Sequence, residues 1–160
     1  MSATQDFIGE RGESIIRVLL TRFYDQPEPR FRPHFLGEKY PTVDFLVELV
    51  GAPAGIVPYF FVQAKATSQG YTMRDHRLKV QVSQADFQRL VSYPAPTYII
   101  GVDEPREVGY ILAAISGRVA RVPSLPTTHP LNETTLRALY EEVLRYWQTN
   151  AADFSASVLS

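Results

Sequence analysis

The sequence predicts a single α/β domain built on one central mixed β-sheet flanked by helices, and three observations predict it. Two apolar stretches rich in Val, Phe and Leu, residues 42–50 and 56–67, flank the turn Gly51-Ala52-Pro53-Ala54-Gly55 and read as an antiparallel hairpin. A second pair, residues 97–102 and 108–114, is joined by Asp103-Glu104-Pro105-Arg106 and reads the same way. Helical spacing of apolar residues governs both ends of the chain instead. The 160 residues, 45% hydrophobic, suffice for one core, so residues 1–150 are expected to form one domain. The small, polar segment 151–160 is expected to be a flexible tail.

Each element follows in order. Ser2 and Gln5 have capping-box spacing, and Ile8, Ile15, Ile16, Leu19 and Phe23 recur at helical intervals, predicting an amphipathic helix over residues 4–23. Glu10, Glu13 and Arg17 border its apolar stripe, where they can face a cleft. Pro27, Pro29 and Pro33 forbid continuation, and residues 30–36 read as a short strand or extended loop. After the first hairpin, residues 78–82 alternate as a further strand. Ser83 and Asp86 then start a short helix with Phe87, Leu90 and Val91 on its apolar face, ended by Tyr93-Pro94-Ala95-Pro96. Beyond the second hairpin, Asn132 caps a last helix that aligns Leu136, Leu139, Tyr140, Val143, Leu144 and Trp147. This order suits a mixed sheet rather than a doubly wound one.

Composition excludes several classes of function. Sixteen Lys plus Arg against seventeen Asp plus Glu give a net charge of −1, which argues against coating nucleic acid by bulk electrostatics and leaves room only for a local basic patch. Without cysteine there is no disulfide, thiolate zinc site or cysteine nucleophile. No leader-like start is seen, and no apolar run approaches the roughly 20 residues that span a bilayer, so a cytoplasmic protein without a membrane partner is expected. Hydrolase-elbow, P-loop and dinucleotide glycine patterns are missing, and His34, His76 and His129 lack the spacing of a helical metal site.

The chemistry is concentrated on the first hairpin. Side chains alternate along a strand, so Asp44 and Glu48 share one face, and Gln63, Lys65 and Thr67 share one face of the next strand. Polar groups within such apolar strands need partners to offset their desolvation. An acid, an amide oxygen and a helix glutamate suit a hard divalent cation, Mg²⁺ or Mn²⁺, with Asp44, Gln63 and Glu13 as candidate ligands. Lys65 can orient an attacking water, help take its proton, or balance charge on a pentavalent phosphate. Metal-assisted phosphodiester hydrolysis is the matching reaction. The competing readings are solvated strand faces for Gln63 and Lys65, and a structural ion pair of Asp44 with Lys65 or Arg17. Glu48 reads equally as a neighbour of the ligands or an edge-strand charge, and Glu10 as a solvated helix-start acid. Residues 69–79 are locally basic, with Tyr71 as a stacking ring, and read as a phosphate-gripping segment or an ordinary solvated loop.

Glu13 on the opening helix, Asp44 on a strand and Gln63-Ala64-Lys65 on its hairpin partner, followed by a helix and another strand, resemble the PD-(D/E)XK nuclease superfamily. The runs Val43-Asp44-Phe45-Leu46-Val47-Glu48, Phe61-Val62-Gln63-Ala64-Lys65-Ala66-Thr67 and Pro96-Thr97-Tyr98-Ile99-Ile100 look like the bacterial family called domain of unknown function 4365, a likeness spanning residues 8–115. The resemblance implies an αβββαβ restriction-endonuclease-like core plus a C-terminal helix. It implies Asp44 and Gln63 as metal ligands, Lys65 as the catalytic lysine and Glu13 completing the site. It further implies a DNA substrate, with RNA as the variant, and bacterial defence by restriction or anti-phage action, as a homodimer or with a larger defence-system partner. Gln63 replaces the superfamily's second acid, as it does in Mrr-like restriction endonucleases, and Val43 rather than proline precedes Asp44. The alternative expectation is a cleavage-deficient nuclease-like domain acting as a nucleic-acid-binding or protein-interaction module.

Overall fold

The computed structural model describes residues 2–117, 121–150 and 154–159. The chain opens with helix α1 (Ala3–Leu20), held at its start by a complete capping box: Gln5 N–H donates to Ser2 Oγ at 3.3 Å and Ser2 N–H to Gln5 Oε1 at 3.1 Å. α1 stops three residues short of the expected end, where Thr21 leaves helical geometry and its hydroxyl donates back to the Arg17 carbonyl at 2.7 Å. Phe23 therefore lies beyond the helix and is exposed, not part of the apolar stripe.

Strands β1 (Phe31–Phe35), β2 (Phe45–Leu49), β3 (Tyr59–Thr67), β4 (Thr97–Asp103) and β5 (Val108–Ala113) form one sheet in the order β1-β2-β3-β4-β5. Only β3 and β4 run parallel, and helix α2 (Gln84–Ser92) makes the crossover between them. The described residues thus follow the order α-β-β-β-α-β-β-α, ending in helix α3 (Glu133–Asn150), and the α/β expectation with a mixed sheet and C-terminal helix holds. Of residues 30–36, Phe31–Phe35 form an edge strand, where Pro33 forfeits no ladder hydrogen bond.

The expected strand at residues 78–82 is not a member of the sheet. Leu78 makes isolated bridges to Tyr71 and Leu125, and Val82 to Val122, so the segment lies across the sheet face instead. Gly101 of β4 makes room for it: a β-carbon there would stand 2.6 Å from Leu125 Cδ2 and 3.0 Å from Leu78 Cδ2. The sheet consequently has two apolar layers. On one face α1 and α3 bury Ile16, Leu20, Leu136 and Val143 against Phe45, Phe60, Val62 and Ile100. On the other, α2, this covering segment and its bridge partner Leu125 bury Phe87, Leu90, Leu78 and Leu125 against Phe61 and Ile99. The tail expected at 151–160 falls partly outside the described residues, and among those described no helix is long and apolar enough to cross a membrane.

Candidate active site

β3 outruns its neighbour. Its ladder with β2 stops at Phe45 opposite Val62, whereas its ladder with β4 continues to Thr67 opposite Asp103. Past Val62, one edge of β3 is therefore uncovered, and Asp44 stands at the point of divergence. Asp44 N–H donates to the Val62 carbonyl at 2.8 Å, and its Oδ2 accepts from Ala64 N–H at 2.7 Å, a donor that a longer β2 would have satisfied. Gln63 lies between those two anchoring groups, and alternation puts Gln63 and Lys65 on the face away from α1.

Glu13 approaches from α1. Gly12 sits against Ala66, so close that a β-carbon would lie 2.4 Å from Ala66 Cβ, and the next residue, Glu13, comes within reach of the Asp44 charge. Burial raises the Glu13 pKa, and the charges of Asp44, Glu10 and Glu38 raise it further. Burial also raises the pKa of Asp44, partly opposed by the Ala64 N–H and by the positive charge of Lys65. Two half-buried carboxylates thus lie within reach of each other's charge, and partial burial disfavours the charged form of both. Among the described residues neither Lys65 nor Arg17 forms an ion pair with Asp44, and Arg17 lies over the Phe45 ring instead, 6.0 Å from its centroid.

Gln63 is only 5% exposed, and its buried Oε1 has no hydrogen-bond partner. An orphaned amide oxygen costs about 1–3 kcal/mol unless something donates to it or it ligates a cation. An amide oxygen together with the carboxylates of Asp44 and Glu13 is a donor chemistry suited to a divalent ion of the Mg²⁺ class. The set holds two acids and one amide, and among the described residues no group of three His, Cys, Asp or Glu side chains gathers to hold a metal.

Of the candidates, Glu13 and Lys65 each lie close enough to Asp44 for charge to couple them, and Glu10 adds its charge to Glu13. Asp44 is hydrogen-bonded to Ala64, the residue after Gln63, while Gln63 and Lys65 project from the sheet face opposite α1. Glu48 stays apart. It lies opposite Tyr59, on the order of 13 Å along β3 from Gln63, on an interior strand, and approaches His34 at 3.5 Å. Tyr71 is not a free stacking ring: its hydroxyl hydrogen-bonds that of Tyr110 at 2.9 Å and His76 stacks on it at 4.4 Å. Arg77 is likewise occupied, donating to Ser124 Oγ and O at 2.9 and 2.7 Å. Sequence reasoning missed Glu38, on the loop between β1 and β2. Nothing local marks it, because only the closure of that loop by Leu36 N–H on the Asp44 carbonyl, at 2.8 Å, carries it toward Glu13. A cavity of about 760 Å³ between α3 and the β4–β5 hairpin is separate, lined mainly by apolar and threonine side chains with Tyr98 donating to Glu142. No family model, curated protein or solved structure matches this chain.

Proposed function

We propose that this chain is a divalent-metal-dependent nuclease domain of the PD-(D/E)XK type, hydrolysing DNA phosphodiester bonds. The observation that carries the reading is the buried, unpartnered Gln63 oxygen, which shares a face of β3 with Lys65 and lies next to Ala64, the residue that holds Asp44, whose charge in turn reaches Glu13. Asp44, Gln63 and Glu13 would hold Mg²⁺ or Mn²⁺, which when bound polarises a phosphate oxygen and eases attack by water. Asp44 is pre-positioned for this, since the Ala64 N–H fixes one of its oxygens against β3. Lys65 sets a positive charge next to the phosphate, where it counters the negative charge that grows on the phosphoryl oxygens as water adds. The partial burial that raises both carboxylate pKa values also strengthens these interactions over their value in water.

We extend the reading to a cytoplasmic role in bacterial defence, with a second copy or a larger partner helping to hold DNA, because a chain of net charge −1 has little bulk attraction for phosphate. The amide at Gln63 favours one alternative, a binding or interaction module that has lost cleavage. Plasmid and single-stranded DNA incubated with Mg²⁺, Mn²⁺ or EDTA, alongside Lys65→Ala and Asp44→Ala, separates the two. Metal-dependent cutting lost in both variants supports the nuclease, and binding without cutting in any metal supports the module.

A further inference from the structure

The loop between β1 and β2 delivers an aromatic ring to the mouth of the same site. Tyr40 lies near-parallel to Phe61, with centroids 6.2 Å apart at 24°, and to Tyr93, at 6.3 Å and 27°. The Tyr93 hydroxyl donates to the Pro41 carbonyl at 2.7 Å and so fastens the loop beside Tyr40. Phe61 is buried, but Tyr40 remains 44% exposed, an aromatic ring supported from within and open to solvent. Phe61 precedes Gln63 by two residues on the same face of β3, so the aromatic patch runs into the row formed by Gln63 and Lys65.

We propose that Tyr40 is a stacking platform for an unpaired base of the strand whose phosphate lies at Asp44, Gln63 and Lys65, making single-stranded DNA or an unpaired end the preferred substrate. The inference rests on the nuclease reading above. A base inside a duplex has both faces covered by its neighbours, so only an unpaired base can lay a face on Tyr40. Every base has such a face, so the contact selects strand state rather than sequence. The charge of the chain points the same way. Duplex binding without base readout relies on many phosphate contacts, whereas a protein of net charge −1 gains more from stacking.

The test uses a cleavage-resistant phosphorothioate oligonucleotide carrying 2-aminopurine, alone or annealed to its complement, titrated with the wild type, Tyr40→Ala, Tyr40→Leu and Tyr40→Phe in Mg²⁺. Wild type and Tyr40→Phe should quench the single strand and bind it about tenfold more tightly than Tyr40→Ala or Tyr40→Leu, with duplex affinity the same in all four. Tyr40→Leu retains apolar cover over Phe61, and a thermal melt of each variant shows that it is folded. Equal single-strand affinity across the folded variants overturns the platform, as does a wild type that prefers duplex or ignores the single strand. Cleavage of ordinary DNA, measured in parallel, keeps the two readings apart. Metal-dependent cutting of single-stranded DNA at limiting substrate that is indifferent to Tyr40→Ala sinks the platform alone, and Tyr40-dependent quenching without cutting in any metal sinks the nuclease alone.

Discussion

Gly12 of α1 crosses β3 over Ala66 with no space for a side chain between them, the missing β-carbon position lying 2.4 Å from Ala66 Cβ. This contact sets the height of α1 above the sheet and hence how near Glu13 comes to Asp44. Gly12→Ala should improve local helix propensity yet destabilise the protein by about 1–3 kcal/mol, because overpacking moves the helix. The same shift should weaken Mg²⁺ binding. Urea unfolding and calorimetric metal titration read the two effects, and a variant as stable as the wild type would show that α1 is not seated there.

The two carboxylates predict an unusual dependence on pH. Both pKa values are raised in the folded protein, so from the ordinary carboxylate value of about 4 up to their folded values the native state holds more protons than the unfolded chain. Their contribution therefore falls as pH rises through that window, and the full cost persists above it. In metal-free buffer, Glu13→Gln/Asp44→Asn should melt above the wild type at pH 7, with the difference shrinking as pH falls through the window. Mg²⁺ should raise the melting temperature of the wild type and leave the double variant unmoved. Matching wild-type and variant melts at pH 7 would remove the repulsion from the account.

Gln63→Glu tests the third donor. A carboxylate in place of the amide adds a charge that a hard cation attracts, so Mg²⁺ and Mn²⁺ should bind at least tenfold more tightly. Without metal, the same substitution adds a third negative charge at a buried position, and the melting temperature should drop. Tighter metal binding paired with lower metal-free stability identifies Gln63 as a ligand, and an unchanged metal affinity places its side chain elsewhere.

A polar cluster near the far end of β3 predicts a purely structural effect. Asp103 is 3% exposed, and Arg106 approaches it at 3.8 Å. The Tyr71 hydroxyl has its pKa raised by burial, by Tyr110 and by Asp103. Tyr71→Phe strips a donor from this buried group and should cost about 1–3 kcal/mol, with DNA cleavage at a permissive temperature unchanged. Combined with Asp103→Asn, the cost should be less than the sum of the two, because each removes the same interaction. Additive losses in the double-mutant cycle would show that the two groups act independently.

Local patterns were enough to read the helices, both hairpins and the caps, since capping geometry and the periods of two and near 3.6 depend only on neighbouring residues. Ser2 with Gln5 and Ser83 with Asp86 bond as their spacings indicate, and Asn132 caps α3 as expected, its Oδ1 accepting from Thr135 N–H. The end of α1 is set locally, by the Thr21 hydroxyl closing on the Arg17 carbonyl one turn back, whereas the segment 78–82 escapes local reading because its partners, Val122 and Leu125, lie far along the chain. The same division runs through the candidate site. Strand alternation placed Gln63 and Lys65 on one face without any knowledge of the fold. What only tertiary structure decided is that β2 stops at Phe45 while β3 runs on, that Gly12 lets α1 bring Glu13 within reach of the Asp44 charge, and that a closed loop adds Glu38 and Tyr40. These are contacts between residues far apart in the chain. Their geometry follows from how layers pack and where ladders end, which no short window of sequence contains.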